Sequence, residues 1–313
     1  MKYTPILIFL SFLVASCCKE QEKKKIYSPY IYKVFDYSPA PGQYINELPL
    51  YEIGNTKADM IAKAEQSLVN NNRGLVSLGG FGGYIIFGFD HPVVNVSDSC
   101  DFLILGNAAL AIDNSGVLLG GSAEPGIIMV SYDVNNNGLP DDIWYEIAGS
   151  EYNDSKTKKK YAITFFKPNE NKEKTLDSLY SYIIDNTYIK WIDNNLNTGY
   201  LSKNKFHNQS YYPQWITDTI LHFEGTLLAN NYTEINNYYV QKPYLFGYAD
   251  NLPNNDSHSN IDIEWAVDEH GNSANLKAIH FVKVYTGINQ YCGWIGETST
   301  EIMGAIDLHF IQK

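Results

Sequence analysis

Along most of the chain, apolar side chains recur at every second position or in short runs bounded by Gly, Asn and Pro. That is the pattern of strands and turns. Val76–Phe89 is β-branched and aromatic, broken by glycines where a strand bends or bulges. Phe102–Leu105, Ile127–Tyr132, Trp144–Ile147, Tyr161–Phe166, Ile189–Trp191, Leu221–Phe223 and Leu276–Tyr285 read as further strands. Ile261–Val267 alternates as a half-buried strand should, and Asp268–Asn272 is a hairpin-type turn. One helix stands out. Thr56 and Asp59 have capping-box spacing, Met60, Ile61, Ala64 and Leu68 form one apolar stripe, and Asn70–Gly74 accepts the left-handed conformations that end a helix. A second stripe, Leu176, Leu179, Tyr180 and Ile183, predicts a short surface helix inserted within 169–185. Residues 26–57 carry Pro29, Pro39, Pro41 and Pro49 too closely spaced for helix, and should run extended. No period of 20 to 50 residues marks a propeller or solenoid. The expected fold is mostly β: a β-sandwich of jelly-roll type over 74–313, preceded by a Pro/Tyr-rich arm and one helix over 32–73.

Composition sharpens this in two ways. With 313 residues, 44% of them hydrophobic, the chain can fill one large core, and 25 Tyr and 14 Phe favour strands. A formal net charge of -12, with no stretch rich in both Arg and aromatics, speaks against a nucleic-acid partner, because phosphate binding needs a positive footprint.

The N-terminus is an address. Lys2 precedes an apolar run, Ile6–Val14, that is too short to span a bilayer as a stable helix. Val14-Ala-Ser-Cys17 resembles the lipobox of bacterial lipoproteins. That resemblance makes 1–16 a signal peptide and Cys17 the lipid-bearing residue, with 17–31 a flexible tether; the acyl chains anchor it firmly. Acidic residues just after Cys17 resemble the surface-export signals of Bacteroidetes lipoproteins. Of the other cysteines, Cys100 and Cys292 either bridge, as an oxidising compartment permits, or act as small buried hydrophobes.

Candidate chemistry centres on the loop Asp133–Glu146. Asp133, Asn135 and Asn137 alternate and Gly138 follows, the D-x-N-x-N-G phasing of a calcium loop. The Leu139 carbonyl and Asp141 continue the phase. Trp144 stands where an EF-hand has its bidentate Glu, so Asp142 or Glu146 would have to close the shell. The plainer alternative is an Asn/Gly turn between strands. A structural calcium ion is the expectation.

Catalytic signatures are thin. Glu124, Glu146, Glu151, Glu297 and Glu301 offer carboxylates but no readable acid–base pair, and the seven histidines fall in no metal-ligand spacing. No Gly-x-Ser-x-Gly elbow occurs. No catalytic residue is assigned. Aromatics are the stronger signal: Tyr211, Tyr212 and Trp215 in one loop-like stretch, and Tyr291 and Trp294 around Cys292-Gly293, suit a flat amphipathic ligand such as a sugar or a corrin ring.

Several strings carry a family resemblance: VSLGGFGGYI at 76–85, EPGI at 124–127, the 133–146 loop, FVKVYT at 281–286 and GWIGETSTE at 293–301. From about Tyr32 to Leu308 the chain resembles Bacteroidetes cell-surface lipoproteins, often labelled cell surface protein or PKD-domain-containing protein, in their globular part. The resemblance implies an outer-membrane β-sandwich facing the cell exterior, in a family some of whose members accompany nutrient uptake, corrinoid uptake included. The expected function is therefore non-enzymatic capture of a nutrient of glycan or corrinoid (cobamide) type, with an outer-membrane transporter as partner. A carbohydrate-active enzyme and a structural or adhesive surface protein are the alternatives.

Overall fold

A computed structural model describes residues 26–235 and 238–310; Cys17 and the signal segment lie outside them. Among the described residues the chain is mostly strand, in several antiparallel sheets without a barrel, and has one α-helix. A six-stranded sheet lies at the centre. Its order is Lys33–Ser38, Tyr84–Val94, Ala278–Thr286, Gly126–Ser131, Trp144–Ile147 and Ala266–Val267. Ala278–Thr286 is almost continuously apolar because both of its faces are covered. Val282 and Val284 point one way, beside Ile85, Phe87, Ile128 and Val130, while Tyr285 points the other way, beside Ile127.

The first face is closed by the helix Lys57–Leu68. The side chain of Thr56 accepts from the Asp59 N–H, and the Asp59 carboxylate accepts from the Thr56 N–H, so the expected capping box forms. Met60, Ala64 and Leu68 are fully buried on the sheet. Burial of the two large side chains stabilises the fold by about 1.5 to 3 kcal/mol each. Left-handed Asn70, Asn71 and Arg73 end the segment. The helix also serves the sheet edge: a bulge between Val34 and Asp36 frees the Val34 N–H, which donates to the Glu65 carboxylate at 3.0 Å.

The second face meets a four-stranded sheet, ordered Thr198–Asn204, Ile183–Asp193, Lys158–Phe166 and Ile220–Leu227. Its Tyr161, Ile163, Phe165, Ile189, Leu201, Leu221 and Phe223 share one core with Ile127, Tyr285 and Phe81. The short strands Asn260–Ile261, Phe102–Leu105 and Gly304–Asp307 form a separate sheet, and Val76–Ser77 pairs with Glu301–Ile302.

Two expectations change here, and of the two states left open for Cys100 and Cys292 the unbridged one is found. The inserted helix does not form: Leu176 and Leu179 are 70% and 82% exposed, with no apolar surface to cover. Instead Asp177 caps the N–H groups of Leu179 and Tyr180, and Ile183 starts a strand paired to Asn204. Ile261–Val267 is not one strand. Asp262 caps a 3-10 turn at Ile263–Trp265, which carries the chain from pairing with Phe102–Leu105 to pairing with Trp144–Ile147. Cys100 and Cys292 are free thiols, the latter buried. No helix among the described residues is long and apolar enough to cross a membrane.

Candidate functional site

Two short strand ends and one turn bring three carboxyls together. Glu124 directly precedes Gly126–Ser131, Glu301 lies in the strand paired with Val76–Ser77, and Asp250 occupies a left-handed turn beside the Gly126–Ala249 bridge. Their ligand atoms all lie within 4.8 Å of one another, the one such His/Cys/Asp/Glu group among the described residues. Asp250 accepts the N–H groups of Asn107 and Ala108 at 2.8 Å each and that of Glu301 at 2.9 Å. Glu301 accepts from Ser77 at 2.9 Å and Ser299 at 2.5 Å. The Asn107 amide reaches Asp250 at 3.1 Å or Glu301 at 3.3 Å, according to how it is turned.

None of the three carboxyls forms an ion pair with a Lys, Arg or His among the described residues. Burial, then repulsion from Glu301, pushes Glu124 and Asp250 well above the ordinary carboxylate range. Burial raises Glu301 as well, opposed by its hydroxyl and amide donors. The interaction between Glu124 and Glu301 raises Glu124 further and opposes the rise of Glu301, so Glu124 holds its proton the more tightly of the two.

Glu124 and Glu301 line a cavity of about 550 Å³. Gln43, Asn107 and Gln241 add amides to it, and Tyr44, Phe206, His207 and Trp294 add rings. Trp294 and Phe206 are 47% and 55% exposed, while Tyr44 and His207 meet edge to face at 4.7 Å. The 3-10 turn Gly293–Ile295 carries Trp294 to this cavity. Chemically the arrangement offers hydroxyl recognition, a protonated carboxyl able to donate, and three oxygens able to hold a divalent cation.

The residues singled out by sequence distribute unevenly. Trp294 lines the cavity. Tyr211, Tyr212 and Trp215 do not: they are core residues, at 1%, 0% and 8% exposure. The Tyr211 hydroxyl accepts the Asn204 N–H, the Tyr212 hydroxyl donates to the Asp218 carbonyl, and Trp215 stacks on Tyr37. Neighbouring aromatics in a polar stretch are what a loop base needs as a plug, so these three rings pack the fold. Tyr291 is half-buried and lines a different, smaller cavity.

In the acidic loop the alternate side chains turn inward but hydrogen-bond within the loop. Asp133 accepts from the N–H groups of Asn137 and Gly138, Asn137 accepts from Leu139, and Asp142 accepts from Val134. Asp141 accepts the Asn135 and Asn137 amides. Glu146 leaves the candidate shell: it pairs with Lys159 at 3.1 Å and accepts from Thr226 at 2.6 Å. The physical reason is pleating, since Glu146 sits within the strand Trp144–Ile147 rather than in the loop.

Sequence reasoning weighed Glu124 and Glu301 only as scattered carboxylates, and it passed over Asp250, Tyr44, Phe206 and His207. The one local signal for Asp250 is a non-glycine residue in a turn, which is weak. No protein-family model and no curated protein matches the chain.

Proposed function

We propose that this chain is an outer-membrane surface lipoprotein that captures a glycan, without turnover, in the cavity of Glu124, Glu301 and Trp294, and passes it to an outer-membrane transporter. One observation carries the reading. Exposed indole and phenyl rings line the same cavity of about 550 Å³ as carboxyls and amides, within the usual range for small-ligand sites. A sugar has an apolar C–H face for the rings and hydroxyls for buried acceptors. A corrinoid has few hydroxyls to offer Glu301, so the glycan is favoured over the cobamide. Hydrolysis is disfavoured because the carboxyls converge on one another in a hydrogen-bonded cluster instead of flanking a bond. The two sheets facing across the Phe81 and Tyr285 core are read as a β-sandwich of jelly-roll type. Family membership rests on the sequence strings alone.

Trp294→Ala is expected to weaken glycan binding by about 1 to 3 kcal/mol, roughly five- to 150-fold, with little loss of stability because the ring is half exposed. Calorimetry over a glycan panel, with a cobamide alongside, measures this. A glycan that binds Trp294→Ala as tightly as wild type would remove the cavity from the site, and release of cleaved product would make the protein an enzyme.

Anchoring is proposed at Cys17, outside the described residues. Cys17→Ala should leave the membrane fraction or remain unprocessed, and a processed mutant that still fractionates with membranes defeats the anchor.

Structural calcium is proposed at Asp133, Asn135, Asn137, the Leu139 carbonyl, Asp141 and Asp142, an all-oxygen donor set of the type Ca2+ takes. At a hundredfold excess over Kd the ion would add about 2.7 kcal/mol of stability. Melting curves in EDTA and in millimolar calcium should separate for wild type and coincide for Asp133→Ala. An increment that survives Asp133→Ala belongs to Glu124, Asp250 and Glu301, and coincident wild-type curves reduce the loop to a turn.

A further inference from the structure

The turn that carries Trp294 to the first cavity opens a second cavity at its base. Tyr291 and Glu297 face each other across an antiparallel bridge, and the Cys292 N–H donates to the Gly296 carbonyl at 2.8 Å to close the turn. Both line a cavity of about 130 Å³ whose other side comes from Phe165, Trp191 and Tyr200 of the four-stranded sheet. One Glu297 oxygen accepts the Gln43 N–H at 2.8 Å. Its other oxygen, Oε2, and the Tyr291 hydroxyl are both buried and have no hydrogen-bond partner among the described residues. Leaving a buried polar atom unpaired forfeits its hydration with nothing in return. A ligand that satisfies both atoms would offset that loss. Among the described residues no Lys, Arg or His lines this cavity.

We infer that the second cavity is a binding site for a primary ammonium group, which donates N–H bonds to Glu297 Oε2 and the Tyr291 oxygen while its alkyl stem lies among Phe165, Trp191 and Tyr200. Three features select that chemistry. The two unpaired oxygens call for a ligand with several N–H or O–H donors on one atom, which –NH3+ supplies and a quaternary ammonium does not. Aromatic walls favour a cation over a neutral amide through the ring quadrupole. The space admits a head group of a few heavy atoms and no large ring.

Protonation follows from the same geometry. Among the described residues the titratable groups that face Glu297 are Glu301, Tyr44, Tyr211 and Tyr291, none of them cationic. Burial therefore holds the free Glu297 carboxyl well above its ordinary range, and an arriving cation expels the proton. This site is separate from the proposed glycan cavity and stands whether or not a glycan binds there.

Titration calorimetry of the full chain in detergent with n-propylammonium, near neutral pH and in two buffers of different ionisation enthalpy, tests it. Saturable binding with net proton release is expected, with tetramethylammonium at least tenfold weaker. Glu297→Gln should lose at least tenfold while its amide oxygen keeps the Gln43 contact, and Tyr291→Phe should lose several-fold. Nα-acetyl-lysine methylamide run alongside separates the sources: tighter binding than propylammonium assigns the site to lysine side chains, and equal or weaker binding assigns it to free amines. Absence of saturation, equal affinity for tetramethylammonium, or binding without proton release would each overturn the site. Should Glu297→Gln not fold, Tyr291→Phe decides, and wild-type affinity in that variant rejects it.

Discussion

The thermal stability of the protein, measured in EDTA, is expected to rise as pH falls from 8 to 5, the reverse of what paired surface carboxylates produce. Glu124, Asp250, Glu297 and Glu301 are all held above the ordinary carboxylate range, burial being the first cause in each. A carboxyl whose folded pKa exceeds its unfolded value binds more protons folded than unfolded. Its contribution is fully present below the unfolded pKa, near 4, and is lost as pH rises through the folded value. Each extra proton so held changes stability by about 1.4 kcal/mol per pH unit.

Opposing groups act mostly elsewhere. Asp59, Asp113, Asp177 and Asp268 are lowered by local hydrogen bonds, so their loss of stability comes as pH falls below the ordinary carboxylate range, outside this window. Burial lowers His207 and His280, which works against the trend below about pH 6.5, whereas the Asp307 and Asp90 bonds raise His91 against its burial and support it. Four carboxyls outweigh two half-buried rings. Glu297→Gln should flatten the profile by removing one of the four. A melting temperature that drops steadily from pH 8 to 5 would show that these carboxyls are ionised in the folded state.

Strand positions were legible because a period of two needs only local information. Phe102–Leu105 and Trp144–Ile147 coincide with the strands read from sequence, and the Thr56–Asp59 capping box forms as spaced. Failures share one cause: the deciding partner lay far away in sequence. Leu176 and Leu179 had helical spacing but no surface to cover. Ile261–Val267 alternates, yet two different sheets compete for it, and Asp262 breaks it with a cap. For the aromatics, Tyr211 and Trp294 sit in equally polar neighbourhoods; only the packing of Tyr188 against Tyr211 separates plug from platform. The site was least legible, since Asn107, Glu124, Phe206, Asp250 and Glu301 come from distant turns and strand ends, none with a pattern of its own.

Gly79→Ala is expected to lower unfolding free energy by about 3 kcal/mol or more, making a glycine of the string at 76–85 a structural requirement. Gly79 has φ +70, and an added Cβ would stand 2.1 Å from the Ala40 carbonyl oxygen and 3.0 Å from Ile45 Cδ1. Hydrogen bonds hold both segments in place. The Ala40 N–H donates to the Leu78 carbonyl at 3.0 Å, the Leu78 N–H donates to the Thr300 carbonyl at 3.0 Å, and the Thr286 hydroxyl donates to the Gly79 carbonyl at 2.6 Å. Displacing this segment also shifts Ser77, which donates to Glu301, so ligand affinity should fall with stability. Gly54→Ala supplies the contrast: φ is +96 there, but nothing lies within 4 Å of the added Cβ, leaving only the left-handed penalty of about 1 to 2 kcal/mol. Urea titrations of both variants decide the matter. If Gly79→Ala loses no more stability than Gly54→Ala, the clamp between Ala40, Thr286 and Thr300 does not hold this segment rigid.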